Sequence, residues 1–260
     1  MIKFFRKIRQ NLLSEGKTGK YFKYAIGEII LVVIGILIAL GINNWNEIRK
    51  ETIKEKQIIS NLHQEFIQNK QIIESIKDGF KLSSNACYTL MNLLSEDLLE
   101  PSAQNIDSLI YLSLEHTPFI PSNSVFSEII EAGNINLITE ESLKKKLFKW
   151  STEIENIQAT YLVFEKWIED GYLPYLSKKI SLKNLDKYSP MAWDKKSKFE
   201  SDYNIIFKER EFENIIDNTL YHHSKMTKLY DNVESLINEI IAQTDTLNKK
   251  KRKQKNVYKT

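Results

Sequence analysis

The sequence predicts an all-α protein: one N-terminal transmembrane helix followed by an extramembrane antiparallel bundle of long helices. Three observations predict it. Only eight glycines and five prolines interrupt 260 residues, and few turn residues mean few turns and long helices. Residues 25–42 read AIGEIILVVIGILIALGI, eighteen residues with a single charge. Beyond them, three stretches repeat apolar residues at alternating steps of three and four, the spacing that lines one face of a helix.

In chain order, residues 2–13 (IKFFRKIRQNLL) place Ile2, Phe5, Ile8 and Leu12 on one helical face and Lys3, Arg6 and Arg9 elsewhere. Such a segment suits either a helix lying in an anionic inner leaflet or a plain topology signal. The apolar run follows. At ~1.5 Å per residue it is about 27 Å long, close to a hydrocarbon core of roughly 30 Å. Tyr21, Phe22 and Tyr24 flank one end and Trp45 the other, as interfacial anchors do. Residues 1–23 hold seven Lys/Arg and one acid, Glu15. That excess predicts a cytoplasmic N-terminus with the large C-terminal part outside. The basic start and the small residues Ala39 and Gly41 also fit a cleaved signal peptide, but the long basic region favours retention.

Within the span, Gly27, Gly35 and Ala39 share a face on which a second helix could pack closely. Glu28 lies one turn inside. It either reaches the interface, favoured by the helix N-terminus, or serves as an intramembrane functional carboxylate.

Outside the span, the first stripe runs Ile59, Leu62, Phe66, Asn69, Ile73, Ile76, Phe80, Ser83, Cys87, Leu90 and Leu94. The second runs from Leu143 through Trp150, Tyr161 and Phe164 to Ile168. The third runs from Phe212 through His223 and Tyr230 to Leu247. Shorter helices are expected at 102–115 and 124–132, with Gly133 closing the latter in a left-handed conformation. Thr139 reads as the N-cap of the second long helix. Segments 116–123, with Pro118 and Pro121, and 173–202 read as irregular, with Pro174 ending or kinking the helix before it. The expected organisation is a cytoplasmic basic segment (1–23), a transmembrane helix (24–43), a helical bundle (44–248) and a basic disordered tail (249–260). The first long helix should run on from the span, since 43–58 contain no Gly or Pro. Counting three long helices out, back and out puts the tail at the end of the bundle away from the membrane.

Charge is partitioned along the chain. Residues 1–23 and 249–260 hold fourteen of the 37 bases and one of the 34 acids, so 23 bases and 33 acids lie between, a net charge of −10. A folded body this acidic argues against nucleic acid as a partner. Asn69 is a lone polar residue in an apolar seam, where it can fix register or oligomeric state. Its competing role is to face a polar group within the monomer. Among His63, His116, His222 and His223 no pair has the spacing of helical metal ligands, and only His223 falls on a stripe. No nucleophile elbow or phosphate loop is present. Cys87 should be an inert core residue. The aromatics Trp150, Tyr161, Phe164, Trp167, Tyr172, Tyr175 and Trp193 either pack the core or line a pocket at one end. No catalytic, metal or cofactor-binding residue is indicated, and no cofactor is expected.

The run MIKFFRKIRQNLL with KYFKYAIGEIILVVIGILIALGINNWNEIRK closely resembles the N-terminal signature of the domain-of-unknown-function family numbered 6090. The segment PFIPSNSVFSEIIEAGNINLITEESLKKKL resembles that family's second recurring block. Gly41 departs from the pattern, where a polar or bulkier residue is expected. The resemblance implies a single-pass protein of the inner membrane of Bacteroidota and carries no activity; with the orientation expected from the basic flank, the C-terminal domain would be periplasmic.

The expected role is therefore that of a non-enzymatic, membrane-anchored interaction or scaffold protein of the cell envelope. A periplasmic small-molecule sensor and an enzyme with a cryptic site are the alternatives. Expected partners are the lipid bilayer, a second copy or another envelope protein, and an anionic envelope polymer at the basic tail.

Overall fold

The computed structural model describes residues 18–95, 106–199 and 201–257. The basic segment 2–13 lies outside them. Every regular element among the described residues is helical. Helix α1 is Thr18–Leu94, continuous from the apolar run into the first stripe, as 43–58 led us to expect. The chain divides into two units, Met1–Lys56 and Gln57–Thr260.

In the first unit, α1 is long and apolar enough to cross a membrane, and none of its most apolar window is buried. Ile29, Leu37 and Ile42 are each more than 60% exposed.

The second unit holds the rest of α1, then α2 (Ile106–Ser113), α3 (Ser124–Glu131), α4 (Glu141–Trp167), α5 (Leu173–Lys179), α6 (Leu182–Leu185), α7 (Tyr203–Phe207) and α8 (Arg210–Val257). Its core is built from the three stripes. Ile59, Leu62, Phe66, Ile73 and Leu90 of α1, Leu143, Leu147 and Phe164 of α4, and Phe212, Ile216 and Ile237 of α8 are fully buried. At roughly 1.5–3 kcal/mol per fully buried large apolar side chain, these faces are what hold the helices together.

Side-chain contacts fix the directions. His63 meets Thr244, Lys77 meets Asp231 and Glu234, and Ser83 meets His223. Numbers rise on α1 as they fall on α8, so these two are antiparallel. Lys146 with Glu239 and Trp167 with Thr219 show the same for α4 and α8. Phe66 packs on Trp150 and Phe80 on Phe164, ring centroids 4.9 and 6.1 Å apart. Numbers now rise together. α1 and α4 are parallel, and the out, back and out count fails.

The extended segment between α2 and α3 explains why. Residues 115–123 have no regular structure, and they run back along α1: Ser113 lies by Cys87, Ser122 by Asn69 and Val125 by Glu65. Extended chain covers ~3.3 Å per residue against ~1.5 Å in a helix, so a short stretch undoes a long helix. Pro118 and Pro121 favour that extended form. α4 then sets out again from the end at which α1 entered.

Local details differ in part from the pattern. Gly133 takes φ +67°, the left-handed turn expected of it. The N-cap of α4 falls on Glu140, one residue beyond Thr139. The segment 173–202 is not wholly irregular, since α5 and α6 lie in it. Pro174 does not stop the helix: the chain passes through a π-helical turn, Ile168–Tyr172, into α5, where Pro174 occupies the first turn. A proline there cannot donate to the turn before it and its ring crowds that turn, and the wide π-helical turn accommodates both. Finally, α8 is helical to Val257, so most of the segment expected to be disordered extends the helix. Lysine and arginine are good helix formers, they suit the negative end of the helix dipole, and no glycine or proline intervenes.

Candidate functional site

On the apolar part of α1, Gly27, Gly35 and Ala39 are exposed and Glu28 is half-buried. A Cβ placed on Gly27 or Gly35 would meet nothing within 4 Å. That face is open. Arg49 lies 5.9 Å above the ring of Trp45, which is itself 62% exposed.

Asn69 is fully buried. Its Nδ2 donates to the carbonyl of Ser122 at 2.9 Å, and its Oδ1 accepts the Ser122 N–H at 2.7 Å. Both ends of the amide are satisfied within the monomer, so a partner helix is not needed to explain Asn69. One turn earlier, the buried carboxylate of Glu65 accepts the N–H groups of Val125 at 2.7 Å and Phe126 at 3.0 Å, and the Ser124 hydroxyl at 3.3 Å. These are donors that the first turn of α3 leaves free, and a carboxylate suits that end of a helix. Nothing in the sequence marks Glu65, because the amides it holds are some sixty residues away.

Farther along α1 the histidines meet the aromatic group. His222 stacks on Phe164 with centroids 5.3 Å apart, and His223 meets Phe164 edge-on at 5.1 Å. His223 Nε2 pairs with the Ser83 hydroxyl at 2.9 Å, while its Nδ1 is buried with no hydrogen-bonding protein atom in reach. Burial pushes its pKa down to about 4, helped by the nearby His222 and His116. Among the described residues no three His, Cys, Asp or Glu groups are placed to hold a metal ion. Trp150, Phe164 and Tyr172 are fully buried, and Tyr175 nearly so. The aromatics therefore pack the core instead of lining one pocket. Trp193 stands apart in a cleft of about 490 Å3, with Lys183 5.9 Å above its ring.

One cleft collects aromatic and acidic groups together. It has a volume of about 380 Å3, within the range of ligand pockets, and Tyr111, Tyr161, His116, Glu115 and Asp186 line it over a floor of leucines. His116 stacks on Tyr161, 6.3 Å between centroids, and its Nδ1 lies 2.6 Å from the Leu114 carbonyl. Glu115 accepts the N–H of Thr117 at 3.2 Å and its hydroxyl. Burial raises the Tyr111 phenol, and Glu115 and Asp186 raise it further. Burial lifts Tyr161 to about 12, with Glu165 adding to the effect. Both phenols stay protonated, so the cleft offers aromatic faces, phenolic donors and carboxylates. The sequence had placed only Tyr161 in a potential pocket.

The model of a family of unknown function, DUF6090, matches residues 28–158. The chain belongs to DUF6090. The matched region reaches from the apolar part of α1 through the Glu65 and Asn69 contacts and most of α4. It leaves out α8, so the DUF6090 region by itself lacks the helix that packs against both α1 and α4. No curated protein and no solved structure matches the chain.

Proposed function

We propose that this DUF6090 protein is anchored in a bacterial inner membrane by residues 25–42, with its N-terminus cytoplasmic and its bundle periplasmic. There it works as a non-enzymatic interaction or scaffold protein of the envelope. The observation that carries the reading is the wholly unburied apolar window of α1: so many exposed Ile, Leu and Val side chains are tolerated only in a nonaqueous surrounding. The seven Lys/Arg before the span support the direction. A reporter enzyme active only in the periplasm, fused after Thr260, tests it. Activity supports the orientation, and a cytoplasmic fusion overturns it. Intact mass of the membrane-extracted protein tests retention of the anchor. Co-purification of a stoichiometric protein supports the interaction role.

A second reading rests on the cleft. Tyr111, Tyr161 and His116 beside Glu115 and Asp186 combine π faces with negative charge, which suits a small organic cation. The bundle would then be a periplasmic sensor. Native mass spectrometry of the extracted protein separates the two, since a bound organic cation favours the sensor and a bound protein the scaffold.

A further inference from the structure

The C-terminal end of α8 carries Lys249, Lys250, Lys251, Arg252, Lys253 and Lys255, and no acid follows Asp245. The rest of the chain beyond the N-terminal segment is net acidic, so this charge is segregated by position. Like charges three and four residues apart on one helix repel. A helix end of this composition is stabilised by an anionic surface.

The register within the bundle says which end this is. His63 Nδ1 and Thr244 Oγ1 are 2.9 Å apart, and α1 and α8 run antiparallel. Six residues back along α1 is Gln57, and six residues on along α8 is Lys250. These two stand at one level, because both helices rise ~1.5 Å per residue. The basic end of α8 therefore lies where α1 enters the bundle, not at the opposite end. In the chain, Gln57 follows Trp45, the aromatic that closes the span, by twelve residues, a distance of at most about 40 Å even when fully extended. Past Lys250, α8 continues for seven helical residues, and the sequence then supplies Tyr258, a residue type enriched at lipid interfaces.

We propose that the basic end of α8 binds the anionic lipid headgroups of the bilayer in which α1 is anchored, tying the last helix of the bundle to the same membrane as the first. The expectation of an envelope polymer at the tail rests on a tail at the opposite end of the bundle, which this register does not give. The binding is electrostatic. Each Lys or Arg near an anionic leaflet adds to it, and salt weakens it by shortening the Debye length from about 8 Å at physiological ionic strength to about 3 Å at 1 M. The proposal rests on the anchoring by residues 25–42.

The test uses the full chain in nanodiscs of phosphatidylcholine alone or mixed with phosphatidylglycerol. An environment-sensitive fluorophore is attached at Asn256→Cys, with the buried Cys87 left in place. The expected result is protection from acrylamide quenching with phosphatidylglycerol only. That protection is lost in 1 M salt and when Lys249, Lys250, Lys251, Arg252, Lys253 and Lys255 are all changed to Gln, while Tm stays unchanged. Equal quenching in both lipids overturns the proposal. So does protection that survives both salt and the six substitutions. A second fluorophore at Asn44→Cys reads the anchor separately: it is protected in both lipids if residues 25–42 span the bilayer. Full quenching there means that the anchoring has failed, whatever the helix end does.

Discussion

Asn69 and Ser122 exchange two hydrogen bonds, a side-chain amide closing on a backbone amide as two strands of a sheet would. Fifty-three residues separate them, and the pair pins the extended return segment to the face of α1. Replacing Asn69 by Leu leaves the Ser122 N–H and carbonyl without their partner, at a cost of roughly 1–3 kcal/mol. Urea unfolding of the extracted protein should show that loss. The mass measured by light scattering should not change, because both ends of the Asn69 amide are engaged within its own chain.

Glu65→Gln halves what α3 receives. The carboxylate serves two backbone N–H groups and one hydroxyl through two oxygens, whereas an amide has one accepting oxygen and a donor that faces other donors. A loss of about 1–2 kcal/mol is expected, the upper range for a helix cap. Hydrogen exchange should rise first at Val125 and Phe126. Unchanged protection there would mean that α3 is held by its apolar contacts alone.

His223 makes the bundle sensitive to acid. Its folded pKa, lowered to about 4, lies below the ordinary histidine value, so the unfolded chain binds the proton more readily. The stabilisation is complete above about pH 6.5 and is lost as pH falls toward 4, on the order of 3 kcal/mol in all. The difference in Tm between pH 7 and pH 4.5 should shrink in His223→Gln, which keeps a donor for Ser83.

Cys87 should not react in the native protein. It is fully buried, its Sγ is 4.0 Å from the Ser113 carbonyl, and burial raises the thiol to about 12. The nucleophilic thiolate is then scarce as well as inaccessible. A polar maleimide should label it only after denaturation. Rapid labelling of the folded protein would contradict the packing of α1 against α2.

The long elements were legible because burial follows period. Nearly every stripe residue from Ile59 to Leu247 is buried, and His223 and Cys87 lie inside as their places on the stripes require. What periodicity does not carry is direction. Nothing in the spacing of α4 says whether it lies parallel or antiparallel to α1. That choice belongs to residues 115–123, whose prolines mark an irregular stretch without revealing how far it travels. Glu65 and the Tyr111–Asp186 cleft were illegible for a related reason. Their partners come from segments far apart in sequence, brought together by that same return. The basic end of α8 was misread in the other direction: composition alone suggests disorder, whereas a helix already nucleated and packed upstream carries charged residues onward at little cost.

Because α8 runs against both α1 and α4, a helix made after them covers a seam that these two create. A chain emerging N-terminus first can pair Phe66 with Trp150 and Phe80 with Phe164, but the groove they form stays open until Phe212, Tyr230 and Ile237 arrive. Folding of the bundle is thus a closing step that waits for α8 to be translated, and in the interval the stripes of α1 and α4 display an apolar face to whatever surrounds them. A nascent chain of this design needs either company until α8 is made or a closing helix that docks faster than its neighbours aggregate.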